Sequence, residues 1–278
     1  MAKTKVESTI KIKKQKGKKR YKVLNIVSIL MFLLLWQIFS AMNETAQWMN
    51  PKFLPGPVNI IQTAVEYIEK GTLFTHILAS LRRVLIGFLG GTILAVIVGY
   101  VCCSNKVVAN IVDPIFNFIG PIPAYAFMPL FVIWFGIGEL PKYIMIGYVA
   151  FFPMLSYTRE GINNIDPVLI RMAMSLGASS WQIFYKITIK AALPTVIAGM
   201  KTSLALIFSG LVVAEMMGSA TGLGYIIVDS KNYFRVSDMF MSMFLIAALY
   251  LLIYFVISFI EGRMFKWKKT GIGGVVDN

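Results

Sequence analysis

Residues 23–42 contain no charged side chain, and residues 84–103 repeat that pattern. Twenty residues of α-helix rise about 30 Å, the thickness of a bilayer's hydrocarbon core. A segment of this kind can leave water only if its backbone amides and carbonyls are satisfied internally, which a helix does by itself. Further apolar runs at 111–135, 142–157, 195–217 and 239–260 predict an all-α membrane protein with six transmembrane helices. Composition agrees: 57% of the residues are hydrophobic and 14% charged, and the mean hydropathy of +0.71 lies far outside the range of a soluble domain.

The formal charge of +14 could suggest a nucleic-acid partner, but the basic residues are placed by topology. Ten of the 27 Lys and Arg fall within residues 1–22, and most others flank apolar runs. With the N-terminus inside, segments 1–22, 104–109, 159–194 and 261–278 hold 19 of them, against five in 43–81, 136–142 and 216–238. The excess of positive charge on one side predicts both termini in the cytoplasm of a multi-pass plasma-membrane protein. The first apolar run is too long for a cleaved signal and is expected to stay as an anchor.

Residues 1–22 have almost no apolar content and read as a basic disordered cytoplasmic tail. Residues 23–260 form the six-span domain, and 261–278 a second basic cytoplasmic tail. Between the first two spans, residues 43–71 are proline-punctuated and turn amphipathic over 58–68, which predicts a short helix on the outer surface. Arg82 and Arg83 border the second span; they either snorkel to head groups or, if the helix starts near Thr72, face other protein. The third span carries Pro114, Pro121, Pro123 and Pro129. Each proline removes a backbone hydrogen bond, so this segment must lie where neighbouring protein or a water-filled cavity meets the freed carbonyls. Pro121, Pro123 and Pro129 are therefore candidates for lining a translocation path. Glu215, late in the fifth span, is a fourth, with simple solvation at the outer boundary as the other reading. Residues 218–237 read as an outer re-entrant or surface segment.

The longest polar interruption is 171–194, RMAMSLGASSWQIFYKITIKAALP. Asp166 before Pro167 suits the start of one short helix, Gly177 a bend, and Ser179 with Gln182 a capping box for a second. Trp181, Phe184, Ile187 and Ala191 recur at helical spacing and predict one apolar side. Such a side belongs either on the lipid interface or against a partner.

Chemical motifs narrow the function by elimination. There is no Gly-rich phosphate loop ending in Gly-Lys-Ser/Thr and no His-Glu-x-x-His pair. His76 is the only histidine, and Cys102 and Cys103 are adjacent, which suits packing rather than a disulfide framework or a metal site. No enzyme activity, metal or cofactor is expected. Asp113, Asp166, Asp229, Asp238 and Glu261 all fall at span boundaries, so the mid-membrane carboxylates of an ion-driven carrier are missing. Uphill transport would then draw on another polypeptide.

The segment SLGAS followed by WQIF and AALP resembles the cytoplasmic coupling loop, or EAA loop, of ABC importer permeases. FLPGPVNI at 53–60, SLRRVLIGF at 80–88, DPIFNFIGPIPAYAFMPLFVIWFGIGE at 113–139 and LVVAEMMGSATGLGYIIVDS at 211–230 resemble the nitrate, sulfonate and taurine subgroup. The likeness covers about residues 24–260. It implies a type I importer permease (MetI-like) fold acting as a homodimer. It also implies cytoplasmic ABC ATPase subunits that receive the coupling loop (159–194) and an extracytoplasmic binding protein that delivers solute. ATP hydrolysis would belong to the partner. The solute would be small: nitrate, a sulfonate, taurine or a pyrimidine vitamin precursor. Arg171, Ala173, Gly177, Ala178, Ser179, Trp181 and Phe184 are the docking residues this implies. Arg171 and Met172 stand where the family usually has Glu-Ala, with only Ala173 retained, and Lys190 stands where a proline is common. A membrane scaffold or regulator that kept the fold without transporting is the alternative.

Overall fold

The computed structural model describes residues 2–265, with side chains from residue 24 onward. Every regular element is helical, with no strand among the described residues. The chain divides into two compact units, one of residues up to Glu69 together with Ser230–Met241, the other of Lys70–Asp229 together with the residues from Ser242. Of the basic tail expected at 261–278, the part beyond Phe265 lies outside the described residues.

In the first unit, α1 (Ala2–Ala46) carries the span Leu24–Ala46. Its backbone is helical from Ala2, where composition alone predicts a tail without fixed structure. Lys and Gln are good helix formers, and extending a helix already nucleated by a span costs far less than starting one. Asn43 clamps the turn that follows: its side chain accepts from the Met49 N–H at 2.9 Å and donates to the Met49 carbonyl at 3.1 Å. Gln37 accepts from the Val58 N–H at 3.1 Å and so holds the start of α2 (Pro57–Glu69), the short helix predicted from the amphipathic pattern. The Tyr67 hydroxyl donates to Asp238 at 2.9 Å, in the opening turn of α11 (Val236–Met264).

In the second unit, α3 (Leu73–Ser104) begins eleven residues before the predicted span, the early start near Thr72 that would let an arginine face protein. Asn105 caps α4 (Lys106–Ile119) by accepting from the Val107 and Val108 N–H groups. The expected third span is two helices, α4 and α5 (Ala124–Phe135), meeting at 100°. Pro121 and Pro123 cause the break: neither offers an amide to the helix, and Pro123 itself stands extended, at ψ 132°, at the start of α5. The carbonyls released there are met from α6 (Leu140–Asn163), whose Tyr148 hydroxyl lies 2.8 Å from the Ile119 oxygen and 3.1 Å from that of Ile122. Neighbouring protein thus satisfies the broken segment, as its sequence requires.

Among the described residues four helices are long and apolar enough to cross a membrane, Leu24–Ala46, Leu73–Ser104, Ser180–Met216 and Val236–Met264, and the bent pair makes a fifth if it is counted as one span. The remaining predicted span is α6, whose 24 residues would reach about 36 Å at the α-helical rise. Its composition is too polar to pass as lipid-facing because α6 packs between α3 and α9 (Ile189–Met216). Met145, Ala150, Met154 and Thr158 form its buried stripe, and Met154 and Leu155 join Ala95 of α3 in the core. At the α3–α6 crossing Gly91 lies against Gly147, so a Cβ on Gly91 would run into the Gly147 carbonyl. Small residues let membrane helices approach this closely.

Gly91→Val is expected to cost about 1–3 kcal/mol through overpacking of backbone on backbone. Gly90→Ala, whose Cβ would meet nothing within 4 Å, should leave stability unchanged. Thermal unfolding of the detergent-solubilised variants checks the contrast.

Candidate functional site

The predicted loop folds from its caps. Asp166 accepts from the Val168 N–H at 2.8 Å and opens α7 (Pro167–Ser175). Ser179 and Gln182 form the reciprocal capping box that opens α8 (Ser180–Ile183). Gly177 bends the chain between them at φ +76°, a conformation that costs an L-residue roughly 1–2 kcal/mol. After α8, a π-helical turn, Phe184–Thr188, runs into α9 without a break. The second short helix and the fifth span are therefore one element, Ser180–Met216, rather than two.

That π turn also moves the apolar face. A wider turn inserts one residue into the helical repeat, so the side predicted from Trp181, Phe184, Ile187 and Ala191 does not face one way. Ile183 and Ala192 are buried, Ala191 is exposed, and Phe184 stacks on Tyr100 at 4.1 Å. Trp181 is 69% exposed and Leu176 86%, with Met172 and Met174 exposed beside Gly177. Apolar side chains in such a group mark a surface made for covering. Arg171 and Ser179 are also exposed, while Ala173 and Ala178 are half-buried.

A cavity of about 570 Å³ lies inside the α4–α5 bend, against α6. Pro121 and Pro123 line it, with Phe116, Tyr148 and Phe152 as aromatic wall and Asn117, Ser156 and Arg159 as polar groups. Pro129 lies elsewhere on α5 and is exposed. Sequence reading missed Arg159; its signal was a cation on the α6 face that also presents Tyr148, Phe152 and Ser156.

Glu215, the fourth candidate, is neither on this cavity nor solvated, being only 1% exposed. Arg83 reaches it at 2.8 Å, Ser80 donates to it at 2.7 Å and the Gly224 N–H at 2.7 Å. Arg83 also donates to the Thr221 carbonyl at 2.6 Å and forks onto Glu139 with two bonds of 2.7 Å. Lys142 adds a third contact to Glu139 at 3.0 Å. Arg83, at 2% exposed, is thus no lipid anchor, although its neighbour Arg82 is exposed. His76 extends the cluster, its Nδ1 accepting from the Gly222 N–H at 3.1 Å. Glu139 sits in the turn before α6. The hydrogen bonds from Arg83, with Lys142 assisting against a smaller effect of burial, hold its carboxyl down at about 2.

A helical bundle with a proline-broken cavity and an exposed capped turn defines a membrane transport subunit. The chain belongs to the family described as binding-protein-dependent transport system inner membrane component, whose profile matches residues 87–267. Within it the chain is an ABC permease of the sulfonate, taurine and nitrate type. SsuC of Bacillus subtilis (strain 168), assigned as an aliphatic sulfonates transport permease, is 32% identical over 262 residues, 93% of each chain. The taurine transport system permease TauC of Escherichia coli (strain K12) is 28% identical, covering 89% of this chain and 90% of its own. The fold matches a chain of the inward-facing MetNI methionine ABC transporter with a TM-score of 0.62, at 19% identity, over 70% of this chain and 97% of that one. It is a multi-pass protein of the plasma membrane and not an enzyme, since in this family ATP hydrolysis lies with separate subunits.

Arg83→Gln should destabilise by about 3–5 kcal/mol, since it strands the buried carboxylate of Glu215, whereas Glu215→Gln leaves Arg83 paired with Glu139 and should cost less. Glu139 adds an acid limb. Its pKa is depressed below the unfolded value of 4.5, so its contribution is complete above that pH and is lost as pH falls towards about 2. Glu139→Gln should flatten the stability profile over that window, read as Tm against pH.

Proposed function

We propose that the chain forms the solute path of an ATP-driven importer, with both termini cytoplasmic, and passes motion from an ATPase to that path through residues 166–188. The observation that carries this reading is the exposed Leu176, Trp181 and methionine surface on a turn whose ends are fixed by caps. Because α8, the π turn and α9 are continuous, a push on that surface is delivered along a rigid rod into the transmembrane core. Pairing of two copies would place one such turn on each of two ATPases. Arg171, Ala173, Gly177, Ala178, Ser179, Trp181 and Phe184 make up or support the docking turn. Arg171 calls for an acidic neighbour on the ATPase, where relatives with a glutamate would call for a basic one.

The solute class that fits best is a small sulfonate, of the alkanesulfonate or taurine kind. The support is relatives named for these solutes that align over about nine tenths of the chain. A formylaminopyrimidine transport permease from Halalkalibacterium halodurans aligns at 26% identity, which keeps a neutral pyrimidine as the competing substrate.

The test is ATP turnover by the complex with its ATPase and binding protein in nanodiscs. Gly177→Pro, which forces φ near −65° where the turn needs +76°, should abolish solute-stimulated hydrolysis while leaving membrane insertion and dimer size intact. Gly177→Ala should be intermediate. Normal stimulation in the proline variant would rule out the coupling role.

A further inference from the structure

We infer that Arg159 is an oxyanion subsite at the inner mouth of the cavity, held closed at rest by Asp113 acting as a tethered substitute for the solute's sulfonate. The inference rests on the sulfonate-importer reading and assigns a recognition residue within it.

Arg159 is the charged side chain on the cavity wall, and it stands at the end away from the α4–α5 bend. From Tyr148 to Arg159, α6 advances roughly 16 Å at the helical rise, so aromatic rings occupy one end of the cavity and a guanidinium the other. Asn117 and Ser156 stand near it on α4 and α6 as uncharged hydrogen-bonding groups. The guanidinium is occupied by Asp113 in a fork: Nη1 to Oδ1 at 2.6 Å and Nη2 to Oδ2 at 2.9 Å. Two oxygens of a sulfonate can take that fork in the same bidentate way as the two oxygens of a carboxylate, with the single negative charge spread over three oxygens instead of two. The exchange is therefore one anion for another on the same fork.

Two features separate this pair from the buried Arg83–Glu215 pair. Both side chains are 30% exposed, whereas the Arg83–Glu215 pair is closed off at 3% and 0%. Pairs open to water are weakly held, so a matched anion can compete. Asp113 is the carboxylate that pairs with Arg159, which also has a hydrogen bond to the Cys103 thiol, and it comes from α4, one arm of the proline-broken span, while Arg159 belongs to α6. Displacing Asp113 would release α4 from α6 at the inner end, so solute arrival and opening of the inner mouth would be one event. At rest the carboxylate neutralises a cation that would be costly within the membrane.

The test uses the whole complex with its ATPase and binding protein in proteoliposomes and follows ATP-driven uptake of butanesulfonate. A merely structural pair predicts equal damage from either side, since Arg159→Gln and Asp113→Asn break the same ion pair. The subsite predicts asymmetry. Arg159→Gln should lose uptake by at least about tenfold while ATP turnover persists, Arg159→Lys should recover only part, and Asp113→Asn should keep the maximal rate with an equal or lower KM for butanesulfonate. Tm of each purified complex accompanies the rates and identifies any variant that is simply unfolded; Asp113→Asn against Arg159→Lys then carries the comparison. Equal losses in the two charge-neutralising variants overturn the subsite and leave the importer reading standing. If the wild-type complex takes up a neutral pyrimidine and no sulfonate, the sulfonate reading fails and the subsite with it.

Discussion

Arg83 is the interaction on which one end of the second unit depends. One guanidinium joins α3, the turn before α6, the end of α9 and the loop at Thr221. Each of its partners is an oxygen, and each comes from a different part of the chain. A lysine would supply a point charge in that place, whereas the planar fork of arginine can serve two carboxylates and a carbonyl at once. Arg83 and Lys142 balance Glu139 and Glu215, so removing any one of these four charges leaves the cluster unbalanced and destabilises the bundle. Ser80 completes the arrangement by bridging Glu215 and the Leu223 N–H.

Fixing one end in this way has a consequence at the other end. The turn carrying Gly177 and Trp181 has no comparable cluster; its polar contacts are the local caps and the Ser175 hydroxyl on the Arg171 carbonyl. Rigid elements joined to a lightly held turn are what a transmission device requires, because force applied at the turn is resisted far away. The π turn at Phe184–Thr188 stands at the junction, and π turns collect at functional sites where a helix tolerates local strain. Phe184 is anchored there by Tyr100 at 4.1 Å, which links the junction to α3 as well as to α9.

How much of this was legible in the sequence follows from which signals are local. Caps are local: Asp166, Ser179 and Gln182 bond within three residues, and each folds as its spacing predicts. So are prolines: the carbonyls freed at Pro121 and Pro123 call for neighbouring protein or a water-filled cavity, and the break has the Tyr148 hydroxyl beside the Ile119 and Ile122 oxygens and a cavity that both prolines line. What a one-dimensional reading misplaced depends on partners distant in sequence. Glu215 looked like a boundary carboxylate because its hydropathy neighbourhood is that of a helix end, and its neutralising arginine lies 132 positions away. The face of α8 was misread for another reason: a π turn leaves no composition signature, and one inserted residue rotates everything that follows.

The two arginine pairs show why burial, more than the presence of opposite charges, separates scaffold from function. Arg83 and Arg159 each form a fork with a carboxylate of similar geometry. Around Arg83 the guanidinium is buried, its acceptors come from three parts of the chain, Glu139, Glu215 and Thr221, and no incoming solute could replace them all. Around Arg159 one carboxylate supplies both oxygens and the pair opens on a cavity. An ion pair whose charge partner is one exchangeable carboxylate can act as a switch, because the free energy of the charged group passes from one anion to another without either charge being left bare. A membrane path needs that property wherever a cation lines it: paired when empty so that the bundle is stable, and exchangeable when the solute arrives.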